Sequence, residues 1–142
     1  MPTLTYLGVN VVRLPFIRST SLGHEVLHNW WGNGVYPSYA RGNWSEGLTT
    51  FMADYTYKER ESAGAARQMR LEWLRDFTAV PLGQDLPLAK FTSRTHGTSQ
   101  IVGYHKAAMV FLHAARSHRA RSIRPRDPHV LAEEAVSCRL VG

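Results

Sequence analysis

A chain of 142 residues, 44% hydrophobic and 20% charged, has the composition of one soluble globular domain, which excludes disorder throughout. No apolar run approaches the roughly 18 residues of a membrane span, and "MPTLTYLGVN" lacks the basic head and long apolar stretch of a secretory leader, so the sequence as written predicts no membrane segment and a cytoplasmic protein. The formal charge of +6 is shared between residues 1–115, with 11 Lys and Arg against 8 acids, and the last 27 residues, with 6 against 3, which argues against a basic face spread over the fold for nucleic acid.

Residues Thr3 to Leu14, "TLTYLGVNVVRL", are β-branched and partly alternating, and predict one or two short strands at a sheet edge, closed by Pro15. "RSTSLGHEVLHNWWGNG" offers Ser19 or Thr20 as an N-cap and Gly32-Asn33-Gly34 as a stop, bounding a helix of about three turns. Gly23 weakens such a helix by about 1 kcal/mol relative to alanine, so close approach by another element is its expected purpose. "VYPSYARGN" reads as a loop, and Ser45 then caps a second helix from about Glu46, with Leu48, Phe51, Met52 and Tyr55 as its core stripe. Gly64 marks a break. A third helix covers about Ala65 to Phe77 with Met69, Trp73 and Phe77 inward, and "VPLGQDLPLAKFTSRTHGTSQ" is a long connection of the kind that lines clefts. A last helix, about Ser99 to Ala115, has Tyr104, Ala108, Met109, Phe111 and Leu112 as its apolar positions. Beyond it, "RSHRARSIRPRDPH" carries five arginines and two prolines without helical periodicity, so residues 116–142 are expected to form a basic, flexible, non-catalytic tail after a core of residues 1–115.

In the first helix, "HEVLH" places His24 and His28 at i and i+4, so both imidazoles leave one face about a turn apart. Glu25 projects beside the pair, near enough to serve a metal-bound water without ligating the metal, which is the H-E-x-x-H arrangement of zinc hydrolases. The lone cysteine, Cys138, excludes a cysteine-rich cluster, so a metal here would need His and carboxylate ligands. A catalytic zinc takes three protein ligands and keeps a position open for water. Glu46 is the candidate for the third, although an acid at a helix start is also favoured simply by the helix dipole. Thr50, one turn on, is placed to hydrogen-bond a ligating group. His96 reads as a polar loop residue, and His105 and His113 are too far apart along their helix to share a metal.

The segment "HEVLHNWWGN...NWSEGLTTFMADY" resembles the zinc-binding segment of the aminopeptidase N family, the gluzincin aminopeptidases, whose pattern is H-E-x-x-H, eighteen residues and a ligating Glu. Here seventeen residues, Asn29 to Ser45, separate His28 from Glu46, which reads as a deletion in the intervening loop. "GYHKAAMVFL", from Gly103, is similar to the family's Y-E-K-G helix, whose tyrosine hydrogen-bonds the developing oxyanion, and Tyr104 falls on that tyrosine. The family's G-x-M-E-N signature, whose Glu holds the substrate's free amine, has no counterpart, since residues 1–23 contain no acid. The resemblance spans roughly residues 19 to 112.

It implies a mainly α (α+β overall) thermolysin-like zinc peptidase core with a short N-terminal strand element, and one Zn2+ on His24, His28 and Glu46. Glu25 is then general base, Tyr104 the oxyanion donor and a peptide the substrate, aminopeptidase-like though lacking the amine anchor. As a partial core, the chain is expected to be weakly active or inactive by itself. Two alternatives come from other classes: a non-catalytic helical binding module with a basic tail, and a zinc hydrolase acting on a non-peptide bond.

Overall fold

The computed structural model describes residues 4–17, 20–95 and 97–123, and among these the fold is mainly helical with no strand. Ser19, His96, Cys138 and residues 124–142 of the predicted tail lie outside the described residues. The chain divides after Leu112 into two compact units, three residues before the predicted boundary, and the second begins at His113.

The predicted N-terminal strand is corrected to a single helical turn, α1 (Val9–Val12), preceded by extended backbone at Gly8 and followed by further turns. β-branched residues favour a strand only where a partner strand takes up their N–H and C=O groups. No such partner exists among the described residues, and the chain satisfies itself locally, with Val11 N–H and Val12 N–H both donating to the Gly8 carbonyl at 2.9 and 3.0 Å.

α2 (Ser21–Leu27) is shorter than predicted, but His28 keeps right-handed helical angles at its end and still donates to the His24 carbonyl at 3.3 Å, so the i, i+4 relation survives. Thr20 stands at the cap position yet turns its hydroxyl onto the Phe16 carbonyl at 3.0 Å. A β-carbon on Gly23 would collide with the Tyr57 ring, so the glycine does admit a neighbouring element. The loop that follows is folded tightly, with an isolated bridge between Trp31 and Val35 and the Trp31 ring edge-on to Trp44 at 6.2 Å.

α3 (Ser45–Thr49) runs through a π-helical turn (Thr50–Tyr55) into α4 (Thr56–Glu61). Its start is capped differently from the expectation. Ser45 is the first helical residue, and the Asn43 Oδ1 accepts from both its N–H at 3.1 Å and its hydroxyl at 2.6 Å. A buried asparagine two residues upstream thus does what Ser45 was expected to do. The predicted stripe is also rotated: Tyr55 is buried, but Met52 is 40% exposed while Thr49, Thr50 and Ala53 are inside.

The break before α5 (Ala63–Thr78) falls at Ser62, not Gly64; Ser62 is fully extended and its hydroxyl accepts from Ala65 N–H at 2.9 Å, a cap worth about 1 kcal/mol. Trp73 of α5 joins Tyr55, Ala66, Ala108 and Leu112 in the core, with Phe51, Met69 and Met109 packed around them. Phe77, expected inward, is half-buried beneath the Lys106 ammonium, which lies 5.1 Å from its ring centre.

The long connection holds one short 3-10 turn (Leu88–Lys90), after which Phe91 is buried edge-on to Tyr104 at 6.3 Å. α6 (Gly97–Gln100) leads through a second π-helical turn (Ile101–Lys106) into α7 (Ala107–Ile123). Residues 116–123, predicted as the start of a flexible tail, are therefore helical; long Arg side chains cost a helix little, and periodicity is needed only where a face is buried. α3 lies so close to α7 that a β-carbon on Gly47 would collide with Ala107. That proximity sets the Glu46 and Tyr104 side chains in one site.

Candidate metal centre

His24 and His28 rise from α2 and Glu46 from the start of α3, and the two imidazole Nε2 atoms converge on the same carboxylate oxygen. Glu46 Oε2 lies 3.3 Å from His24 Nε2 and 3.2 Å from His28 Nε2. One nitrogen from each ring and one Glu46 carboxylate oxygen lie within 4.8 Å of one another, a group that could hold a metal ion. Tetrahedral zinc with bonds of about 2.0–2.1 Å separates neighbouring ligand atoms by about 3.4 Å, so both His–Glu edges already have the length such an ion would impose. His24 is buried, and His28 and Glu46 are largely so.

The far side of each ring is also committed. His24 Nδ1–H donates to Asp54 Oδ2 at 3.0 Å, and His28 Nδ1 lies 2.8 Å from the Trp31 carbonyl oxygen. A carbonyl can only accept, so Nδ1 of His28 carries the hydrogen. With both rings held in this way, each Nε2 is left toward the group, as in metal-ligating histidines whose second nitrogen is anchored by a carboxylate or carbonyl.

Asp54 reaches His24 because of the first π-helical turn. At about 100° per residue, eight residues of α-helix would leave Asp54 about 80° around from Glu46. The wider i→i+5 turn advances less per residue and returns the two acids toward one face, on either side of the same imidazole. Tyr104 sits in the second such turn, its ring stacked on His24 at 5.9 Å and 11°, with its hydroxyl close enough to Glu46 for the two to shift each other's titration. Thr50 is nearby, but its hydroxyl donates to the main-chain carbonyl of Glu46 at 2.8 Å rather than to the carboxylate.

Electrostatics follow from these contacts. Burial alone would lower the pKa of His24, but hydrogen bonds to Asp54 and Glu46 and the charges of both carboxylates outweigh it and raise it from 6.5 to about 9. His28 is raised in the same sense, against its own burial, by Glu46 and the Trp31 carbonyl. Burial of Glu46 would push its carboxyl up, yet donation from the two imidazoles and from Tyr104 holds it well below the usual carboxylate range. Tyr104 goes the other way, since burial and the neighbouring Glu46 charge keep its hydroxyl protonated far above the normal tyrosine range.

Without metal, His24 is thus an imidazolium below about pH 9, and a cation must displace its proton. Zinc affinity is expected to rise with pH, by up to about tenfold per unit for each proton displaced, and to level off above about 9. Stability of the metal-free protein runs oppositely: a raised folded-state pKa contributes in full below the unfolded value of 6.5 and is lost as pH climbs through about 9. Thermal melts with zinc and with chelator across that window check both signs, and parallel pH profiles would remove His24 from the metal group.

Of the residues singled out in the sequence, His24, His28, Glu46 and Tyr104 are together. Glu25 is partly exposed on α2, next to His24 in the chain, and its charge acts on the Tyr104 hydroxyl. His105 is elsewhere, stacked on Trp73 at 6.0 Å with Nδ1 3.4 Å from Asp76, and His113 belongs to the second unit. Asp54 and the Trp31 carbonyl carried no sequence signal as ring anchors, nor did Arg94, whose charge reaches Tyr104 from the long connection. Comparison with protein families, with curated proteins and with solved structures finds no match.

Proposed function

We propose that the chain carries the catalytic centre of a zinc-dependent peptidase, built as in a thermolysin-like core and resembling the aminopeptidase N family in its two motif segments. The observation that carries this reading is the convergence of two Nε2 atoms on one Glu46 oxygen at 3.3 and 3.2 Å, with both Nδ1 atoms anchored behind them.

Zinc held by His24, His28 and Glu46 would supply a Lewis acid and a water acidified toward neutrality. Glu25, next to the first ligand but not among the convergent atoms, takes the proton of the attacking water and passes it to the leaving amine nitrogen. Tyr104, kept protonated by burial and by the Glu46 charge, donates its hydroxyl hydrogen to the oxyanion that forms on the scissile carbonyl. Residues 1–23 contain no acid to anchor a substrate's free amino group, so the reaction proposed is peptide-bond hydrolysis.

Elemental analysis and a peptide-library cleavage assay test it together. Tyr104→Phe is expected to lower kcat about a hundredfold or more with zinc content unchanged, because only a transition-state donor is removed. Loss of zinc in that variant would instead make Tyr104 a structural support.

A second reading has its own observation. The three side chains already satisfy one another as a charged His–Glu–His cluster, as they would in a non-catalytic helical module. Purified protein that takes up no stoichiometric zinc would favour the module.

A further inference from the structure

A cavity of about 740 Å³ lies on the Asp54 side of His24, and none of His24, Glu25, His28 or Glu46 lines it. It therefore adjoins the metal group without being lined by its three converging side chains, and it shares Tyr104 with that group. Its walls are apolar and aromatic, formed by Phe16, Tyr57, Met69, Trp73 and Tyr104, and its volume is in the range of small-molecule pockets. Four charged side chains also line it, and they cancel. Lys58 is paired with Glu61 at 2.7 Å, Asp54 is engaged by His24 at 3.0 Å, and the exposed Arg60 completes two cations against two acids. Neutral walls rich in rings favour a flat, uncharged aromatic occupant, which stacks on such faces and needs no counter-ion. Gln100, whose Oε1 accepts from Arg94 at 3.5 Å, adds an amide to the same lining for one polar contact.

We propose that this cavity is a binding site for a compact, uncharged aromatic molecule, and that filling it tightens metal binding at the adjoining centre. The site stands on the cavity alone; the linkage rests on the metal reading above. Asp54 and Tyr104 belong to both places, one bonded to the His24 ring and the other stacked on it. An occupant displaces water from Asp54, the local dielectric falls, and the Asp54–His24 hydrogen bond strengthens. The imidazole is then held more firmly and binds a cation better. By reciprocity, bound metal must raise affinity for the aromatic molecule by the same factor.

Indole is a suitable probe, titrated by calorimetry and by amide NMR into the full chain, metal-free and zinc-loaded. Saturable binding to the metal-free protein with Kd below about 1 mM, and at least about fivefold tighter binding with zinc, are expected. Met69→Trp fills the cavity from its wall and Ser21→Trp blocks it from an exposed edge, so even if the first perturbs folding, the second is expected to abolish indole binding with helix content and zinc uptake intact. Absence of saturable binding, or its survival in a folded Ser21→Trp protein, overturns the site. Equal indole affinity with and without zinc overturns the linkage. Protein that binds indole but no zinc overturns the linkage together with the metal reading and leaves the cavity's assignment standing.

Discussion

Glu25→Gln is expected to leave one zinc bound and to cut peptide turnover by about 10²- to 10⁴-fold, the range of a lost general acid–base group. Glutamine has nearly the size and shape of glutamate but cannot accept the water's proton at neutral pH. Nothing else need change, because Glu25 is not among the atoms that converge on the metal position and makes no structural ion pair among the described residues. It is partly exposed on α2, and its charge acts on Tyr104. Zinc content by elemental analysis and single-turnover cleavage of a responsive peptide decide the matter. Undiminished cleavage by the variant would end the assignment of Glu25 as base, and loss of zinc would make it a ligand instead.

The largest effect on metal is expected from Glu46→Ala. Removing a residue that only orients a ligand weakens metal binding about 10- to 100-fold, so removing one of three ligands should exceed a hundredfold. As a helix-opening acid alone, Glu46 would be worth about 0.3–1 kcal/mol of stability and its loss would leave zinc affinity untouched. Its position already favours the larger role, since one oxygen of its carboxylate accepts from two imidazoles at the same time. Competitive zinc titration of the two proteins measures the difference. Equal affinities would refute ligation and turn attention to Asp54, the other carboxylate on His24.

How much of this could be read from the chain varies by residue, for physical reasons. The i, i+4 histidines were legible because a helix face is fixed by local geometry, and His28 keeps that geometry even at the helix end. The nearness of Glu46 to the histidines was legible across the seventeen-residue gap, since the loop between them folds back on itself, with Trp31 against Trp44, and returns the start of α3 to α2. The N-terminal strand was misread because β-propensity describes a residue's fit to a sheet, and no sheet forms among the described residues. Asp54 and the burial of Thr49 and Thr50 beside an exposed Met52 were illegible for one shared reason: a π-helical turn shifts the phase of everything beyond it, and no composition signal announces it. Ser62 hid behind Gly64, as a glycine near a helix start draws attention from the serine that caps it. The cavity was out of reach of any one-dimensional pattern, being lined by side chains from four separate stretches.

If a metal ion binds at this group, the anchored Nδ1 atoms also bear on how fast it would load. Rings free to spin must find the right face before a cation can be captured, and each wrong orientation is a detour. Here the Asp54 carboxylate and the Trp31 carbonyl have already turned both rings the right way. Uptake then needs no ring rotation, only departure of the hydrogens that the Nε2 atoms share with Glu46. Loading becomes a local exchange of a hydrogen for a cation, with a rate set by whatever base carries the hydrogen off. The identity and concentration of the buffer, rather than any opening of the fold, would govern the time course of filling.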